Sequence, residues 1–80
     1  MKFLYSKTSI KYLQKQEKDV SQRVVGAIEK LPYKGDINKL KGKKVQNIYR
    51  VRIGKYRVIY SLEKEIIKII KIDTRGDVYK

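Results

Sequence analysis

Eighty residues leave room for one small domain, and 21 lysines and arginines against 8 acidic residues give it a formal charge of +13. That is far above the magnitude of roughly 2–8 usual for a small soluble domain, and it points to nucleic acid, an anionic surface or an acidic protein as partner. Cysteine and histidine are absent, which excludes a disulfide framework, zinc sites of the usual His/Cys kind, and Ser-His or Cys-His nucleophile pairs.

No apolar run approaches the roughly 20 residues of a membrane-spanning helix. The start, Met1-Lys2-Phe3-Leu4-Tyr5, is too short an apolar run for a signal peptide. A cytoplasmic domain is expected, without membrane contact.

Taken in order, Lys2 to Tyr5 reads as a first strand. Ser6 is placed to cap a helix in which Ile10 and Leu13 face inward and Lys7, Lys11 and Lys15 outward. The polar stretch Gln14 to Lys18 reads as a turn between helices. Asp19 followed by Gln22 has the spacing of a capping box, and Val20, Val24, Ala27, Ile28 and Leu31 recur on one helical face. Lys30 suits the negative end of the helix dipole, and Pro32 stops the helix. Tyr33 to Gln46 has the composition of a loop, with Leu40 to pin it onto the domain.

Tyr49 to Tyr60 then reads as a β-hairpin, two alternating runs of Val, Ile and Tyr around Gly54-Lys55. A glycine first in a two-residue turn fits type II′, whose first central residue needs positive φ. Folding there sets Ile53 opposite Tyr56, Val51 opposite Val58 and Tyr49 opposite Tyr60, an apolar face that must be buried. The other face carries Arg52 opposite Arg57, and Arg50 opposite Ile59. Like charges directly across a strand pair are destabilising, so an anion between Arg52 and Arg57 is one reading and a solvated sheet face is the other. Leu62-Glu63-Lys64-Glu65 forms a second turn. Ile66 to Ile72 is apolar on both faces, as in a strand interior to a sheet. The order βααβββ predicts an α+β fold over residues 1–80, a single domain with the helical pair on one face of a small, largely antiparallel sheet. Arg50, Arg52 and Arg57 lie on the face left open.

Charge gathers on the same part of the chain. From Lys39 to Tyr60 there are eight basic residues and no acidic one. Lys39, Lys41, Lys43, Lys44 and Lys55 join the three arginines as candidate RNA contacts, an electrostatic footprint for a phosphodiester chain. Tyr49, Tyr56 and Tyr60 belong to the core. Tyr79 near the end of the chain, beside Arg75, is placed to stack on a base or to pass a proton. RNA cleavage by attack of the neighbouring 2′-hydroxyl suits these residue types: arginines surround the transition-state charge as planar, permanently charged donors. Arginine itself is no base, since its pKa stays above about 12. Lysine, tyrosine or a carboxylate must move the proton. For Asp73 and Asp77 the expectation is an ion pair or a cap.

Leu31-Pro32, the run Gly35 to Gly42, the hairpin Tyr49 to Tyr60 and Arg75-Gly76-Asp77-Val78-Tyr79 together resemble the RelE/ParE superfamily of type II toxin–antitoxin toxins. The resemblance covers essentially the whole chain. It implies a small basic toxin with a microbial-RNase-like sheet, bound by a cognate antitoxin in a toxin–antitoxin hetero-oligomer. In the RelE-like branch it implies a ribosome-dependent endoribonuclease (an mRNA interferase) that cuts mRNA in the ribosomal A site, with contacts to ribosomal RNA and no metal or cofactor.

By this resemblance Arg57 matches the family arginine that contacts the phosphate in the transition state. Arg50 and Arg52 fall where RelE toxins carry lysines that touch the mRNA phosphate and serve in proton transfer. Arg75 matches the arginine after the last strand, and Tyr79 the near-terminal tyrosine. Asp73-Thr74-Arg75 stands where many relatives have Gly-His-Arg, so a histidine acid is ruled out. Two other readings remain open at this point: a ParE-like inhibitor of DNA gyrase, and a catalytically weak module that binds nucleic acid or antitoxin.

Overall fold

The computed structural model describes residues 1–40 and 47–74. In chain order the elements are β1 (Lys2–Tyr5), α1 (Lys7–Gln14), α2 (Lys18–Ile28), β2 (Asp36–Lys39), β3 (Ile48–Ile53), β4 (Tyr56–Glu63) and β5 (Ile66–Thr74). The strands form one sheet in the order β1-β5-β4-β3-β2. β1 runs parallel to β5, and the remaining neighbours are antiparallel. The chain must therefore cross from one edge of the sheet to the other between β1 and β2. The helical hairpin makes that crossing and covers one face. Val24 and Ile28 of α2 and Leu31 beyond it are buried there against Val51, Tyr56, Val58, Tyr60, Ile67, Ile69 and Ile72.

This is the expected α+β architecture with one strand more. Asp36–Lys39, inside the stretch whose composition reads as a loop, pairs with Lys39 opposite Tyr49 and Asp36 opposite Arg52. Its composition hides it because an edge strand needs few apolar side chains, and here only Ile37 faces the core, opposite Val51. Gly35 admits the chain to that edge. It has φ +129°, and an added Cβ would lie 3.0 Å from Val51 Cγ2.

The helices depart from the expected facing in two places. Ser6 caps α1 as its sequence suggests, its hydroxyl oxygen accepting from the Ser9 N–H at 3.1 Å. Ile10, however, does not face inward: it is 43% exposed, and Ser9 is the buried residue. The Ser6 hydroxyl donates to the Ile70 carbonyl at 2.8 Å, and the Tyr12 hydroxyl meets Thr74 Oγ1 at 2.7 Å. These contacts with β5 turn the face of Ser9, Tyr12 and Leu13 toward the sheet and Ile10 away from it. α2 begins two residues before the capping-box reading, with Glu17 at its N-cap and no side-chain cap bond, so Asp19 lies in the first turn. A carboxylate there still complements the positive end of the helix dipole.

The hairpin has the expected register at every pair from Tyr49–Tyr60 to Ile53–Tyr56. Gly54 takes φ +58°, while Lys55 is not among the residues of positive φ, as type II′ requires. β5 lies between β1 and β4, interior as its composition suggests. Its alternation is broken once. Tyr60 pairs with Ile69 but Ile59 with Lys71, which leaves Ile70 as a β-bulge. The bulge brings Ile72 onto the same buried face as Ile67 and Ile69, although strict period two would put it on the other.

Candidate nucleic-acid interface

Side chains alternate across a strand, so the register fixes what shares the face away from the helices. One row across it runs Asp36, Arg52, Arg57, Asp73, and the next runs Asn38, Arg50, Ile59, Lys71. Three arginines from two adjacent strands thus stand together, with Lys71 beside them. Arg50 and Arg52, two residues apart on β3, are about 7 Å apart along the strand. That separation lets them serve successive phosphates of an extended chain.

Arg57 is held by Asp73. Its Nε donates to Asp73 Oδ1 at 3.0 Å and its Nη2 to Oδ2 at 2.8 Å, a bidentate pair. Both groups are partly buried, with 27% and 19% of their side chains exposed, and Lys71 Nζ approaches Asp73 Oδ2 at 3.7 Å. The Ile70 bulge makes this pair. Without it Asp73 would fall on the buried face with Ile67 and Ile69; with it, Asp73 stands opposite Arg57.

The ion-pair role expected of Asp73 is thus seen. It also revises the argument from the like-charged pair, because the anion that relieves Arg52–Arg57 repulsion is in part a carboxylate of the chain itself. The signal for the bulge is in the sequence. Lys68 and Lys71 are three residues apart, and both reach solvent on one side only if one residue between them is skipped.

Arg52 has no carboxylate within ion-pair distance among the described residues, although Asp36 is its cross-strand partner. Arg50 Nε is buried with no hydrogen-bond partner among them. Lys55, at the hairpin tip, holds its Nζ 5.6 Å from the centroid of the Tyr56 ring. Lys39 is opposite Tyr49, so it belongs to the helix side of the sheet and does not join the arginine rows. Lys41, Lys43, Lys44, Arg75 and Tyr79 lie outside the described residues, as does Asp77.

Tyr60 and Tyr5 are poor proton carriers. Tyr60 stacks on Tyr49 with centroids 5.5 Å apart in the core, and burial, with a lesser contribution from Tyr49, pushes its phenol up to about 12. Burial and then the Glu29 carboxylate raise Tyr5 as well. Among the described residues no group of three or more Asp, Glu, His or Cys gathers to hold a metal ion. On the helix side an apolar groove of about 490 Å³ runs between Phe3, Tyr5, Ile10, Leu13 and Val25, with Glu29 among its lining. Its chemistry is opposite to that of the arginine face. No helix among the described residues is long and apolar enough to cross a membrane.

The chain matches the family model described as the ParE toxin of type II toxin–antitoxin system, parDE, over residues 3–79. It is similar to a chain of the archaeal RelE–RelB complex from Pyrococcus horikoshii OT3, with 34% identity, 94% of each chain covered and a TM-score of 0.78. A chain of the RelB–RelE antitoxin–toxin complex from Methanococcus jannaschii is 28% identical over 95% of this chain and 94% of that one, with a TM-score of 0.73. The isolated RelE toxin of E. coli shares the fold, with a TM-score of 0.72 at 20% identity over 98% of this chain and 89% of that one. No curated protein matches significantly. Matched from its first strand to its penultimate residue, the chain belongs to the ParE toxins of type II toxin–antitoxin systems, within the RelE/ParE superfamily.

Proposed function

We propose that the protein is a ribosome-dependent mRNA endonuclease, with the open face of β3 and β4 as its RNA site. The observation that carries this reading is the clustering of Arg50, Arg52 and Arg57 on one face, in register across two strands. The mRNA 2′-hydroxyl gives its proton to a base and attacks the adjacent phosphorus, the bond to the 5′-oxygen breaks to leave a 2′,3′-cyclic phosphate, and the 5′-oxygen takes up a proton. Arg57 and Arg52 stabilise the charge that builds on the phosphoryl oxygens, and removing one such donor typically costs about 10²–10³ in rate. Arg50 holds the neighbouring phosphate. Arg75 and Tyr79 complete the site, Tyr79 against a base or the leaving oxygen, and Lys41, Lys43, Lys44 and Lys55 hold RNA at its margin. A toxin working on translating ribosomes acts in the cytoplasm. The relatives solved as complexes with RelB support a cognate antitoxin as the partner that neutralises the toxin and its charge of +13.

The match to the ParE family favours a second reading, a gyrase inhibitor that leaves RNA intact. Brief expression with mapping of transcript ends separates the two. Codon-phased cuts confined to translated messages are expected, and they should vanish in Arg57→Ala while antitoxin binding is kept. DNA damage with intact transcripts establishes the gyrase reading instead.

A further inference from the structure

Arg57 has a carboxylate where the proposed function needs a phosphate. The Nε–Nη2 edge of a guanidinium is well matched to a bidentate oxyanion, and Asp73 occupies that edge at 3.0 and 2.8 Å. Asp73 lies on the β5 side of Arg57, whereas Arg52 lies on the β3 side. A phosphate shared by the two arginines therefore draws the Arg57 side chain away from Asp73. Leaving a half-buried carboxylate unpaired is costly, but Lys71 Nζ is already 3.7 Å from Asp73 Oδ2, and with 60% of its side chain exposed it has freedom to close that gap. Arg52, for its part, has no carboxylate partner to give up among the described residues.

We propose that Asp73 is a built-in rival of the RNA phosphate: Arg57 exchanges Asp73 for a phosphate held between Arg57 and Arg52, and Lys71 takes over the Asp73 carboxylate. The inference rests on the reading of this face as an RNA site and adds to it a determinant of specificity. A phosphate gains Arg57 only if it binds better than Asp73 does, so RNA that reaches Arg57 alone is discriminated against and RNA that also reaches Arg50 and Arg52 is favoured. A message fixed in position by the ribosome, touching Arg50 and Arg52 as well, meets that condition. The exchange is charge-balanced, since one ion pair opens as two others form or tighten.

The test is binding of a short single-stranded RNA carrying 2′-O-methyl groups, which bars cleavage, to the full chain without ribosomes. Asp73→Asn should raise affinity about tenfold, the equivalent of about 1.4 kcal/mol. Asp36→Asn removes the same charge from the same row, at a residue without an ion pair among those described, and should raise it only about twofold, as a screened surface charge does. In an Arg57→Ala background the two substitutions should have equal, small effects. A gain no larger than that of Asp36→Asn, a loss of affinity, or a gain that survives Arg57→Ala overturns the exchange. The unmodified protein gives a second reading independent of how the variants fold. The Arg57 Nε–H resonance should shift as the same RNA is titrated in, and a resonance unmoved at saturation, or an RNA that does not bind, also overturns the proposal. Absence of codon-phased cutting in cells would instead count against the endonuclease reading and leave these binding results standing.

Discussion

Arg57 and Asp73 are each partly exposed, at 27% and 19% of the side chain, which keeps their ion pair from dominating stability. Arg57→Ala leaves Asp73 a cation in Lys71, so the substitution should lower stability by only about 1 kcal/mol. Urea denaturation checks this. A loss several times larger would mean that the loss of cutting expected of Arg57→Ala reports unfolding. Tyr60 makes a different prediction. Its folded pKa, raised to about 12, lies above the ordinary value of 10.0. Below pH 10 the phenol is protonated whether the chain is folded or not, and its contribution is fully present. As pH rises toward 12 the unfolded chain ionises first, so stability falls, by about 2 kcal/mol at pH 12. Tyr60→Phe should lose less stability than the parent between pH 9 and 12. Tyr5, shifted in the same direction, leaves a residual slope. Equal losses in parent and variant would show that Tyr60 ionises normally in the fold.

The turns that join the strands differ in how well their residues suit them. Gly54 has φ +58° and nothing within 4 Å of an added Cβ, so Gly54→Ala should cost about 1 kcal/mol from backbone strain alone. Gly35→Ala should cost more, because φ +129° is combined with a 3.0 Å approach to Val51 Cγ2. Lys64 joins β4 to β5 with φ +50°, a conformation that disfavours side chains. Lys64→Gly should therefore raise stability, by up to about 1 kcal/mol. Thermal melts should rank the four proteins Lys64→Gly, parent, Gly54→Ala, Gly35→Ala from most to least stable. Beyond these turns, within β5, the Ile70 bulge links packing to the site: one skipped residue buries Ile72 and delivers Asp73 to Arg57. The carbonyls of Ile69 and Ile70 are met there by Ser6 and Ser9, so α1 is docked on the same irregularity.

For the molecule as a whole, if the arginine face is the RNA site proposed above, the excess of cations should set how strongly RNA is held and how salt weakens it. Each phosphate neutralised on a single strand contributes about −0.7 to the slope of log K against log salt. Arg52→Ala should make that slope shallower by about 0.7. Lys39→Ala removes an equal charge from the other side of the sheet and should change it much less. Equal changes would show that RNA binding follows net charge and not the arginine face. The two faces are chemically distinct, with arginine rows on one and the groove of Phe3, Ile10 and Val25 on the other. An acidic partner and an apolar one would be drawn to different sides.

The hairpin, its register and the arginine face follow from residues near one another in the chain. Alternation of Val, Ile and Tyr and a glycine of positive φ are local requirements, and a single turn fixes every pair from Tyr49–Tyr60 to Ile53–Tyr56. The interior position of β5 follows from its isoleucines in the same way, and the family from the ordered motifs. Other features depend on partners distant in sequence. Asp36–Lys39 is a strand because β3 offers it an edge, not because of its own composition. Ile10 is exposed because Ser6, Ser9 and Tyr12 are bonded to β5, some sixty residues away. The same holds for the site. That Arg50, Arg52 and Arg57 share a face is a matter of period two, but the Asp73 carboxylate on Arg57 requires the bulge, whose trace in the sequence is only the three-residue spacing of Lys68 and Lys71. Alternation says which residues share a face of one strand; where a neighbouring strand skips a residue shows only in its register against β4 and in its bonds to α1, and those contacts are made only in the folded chain.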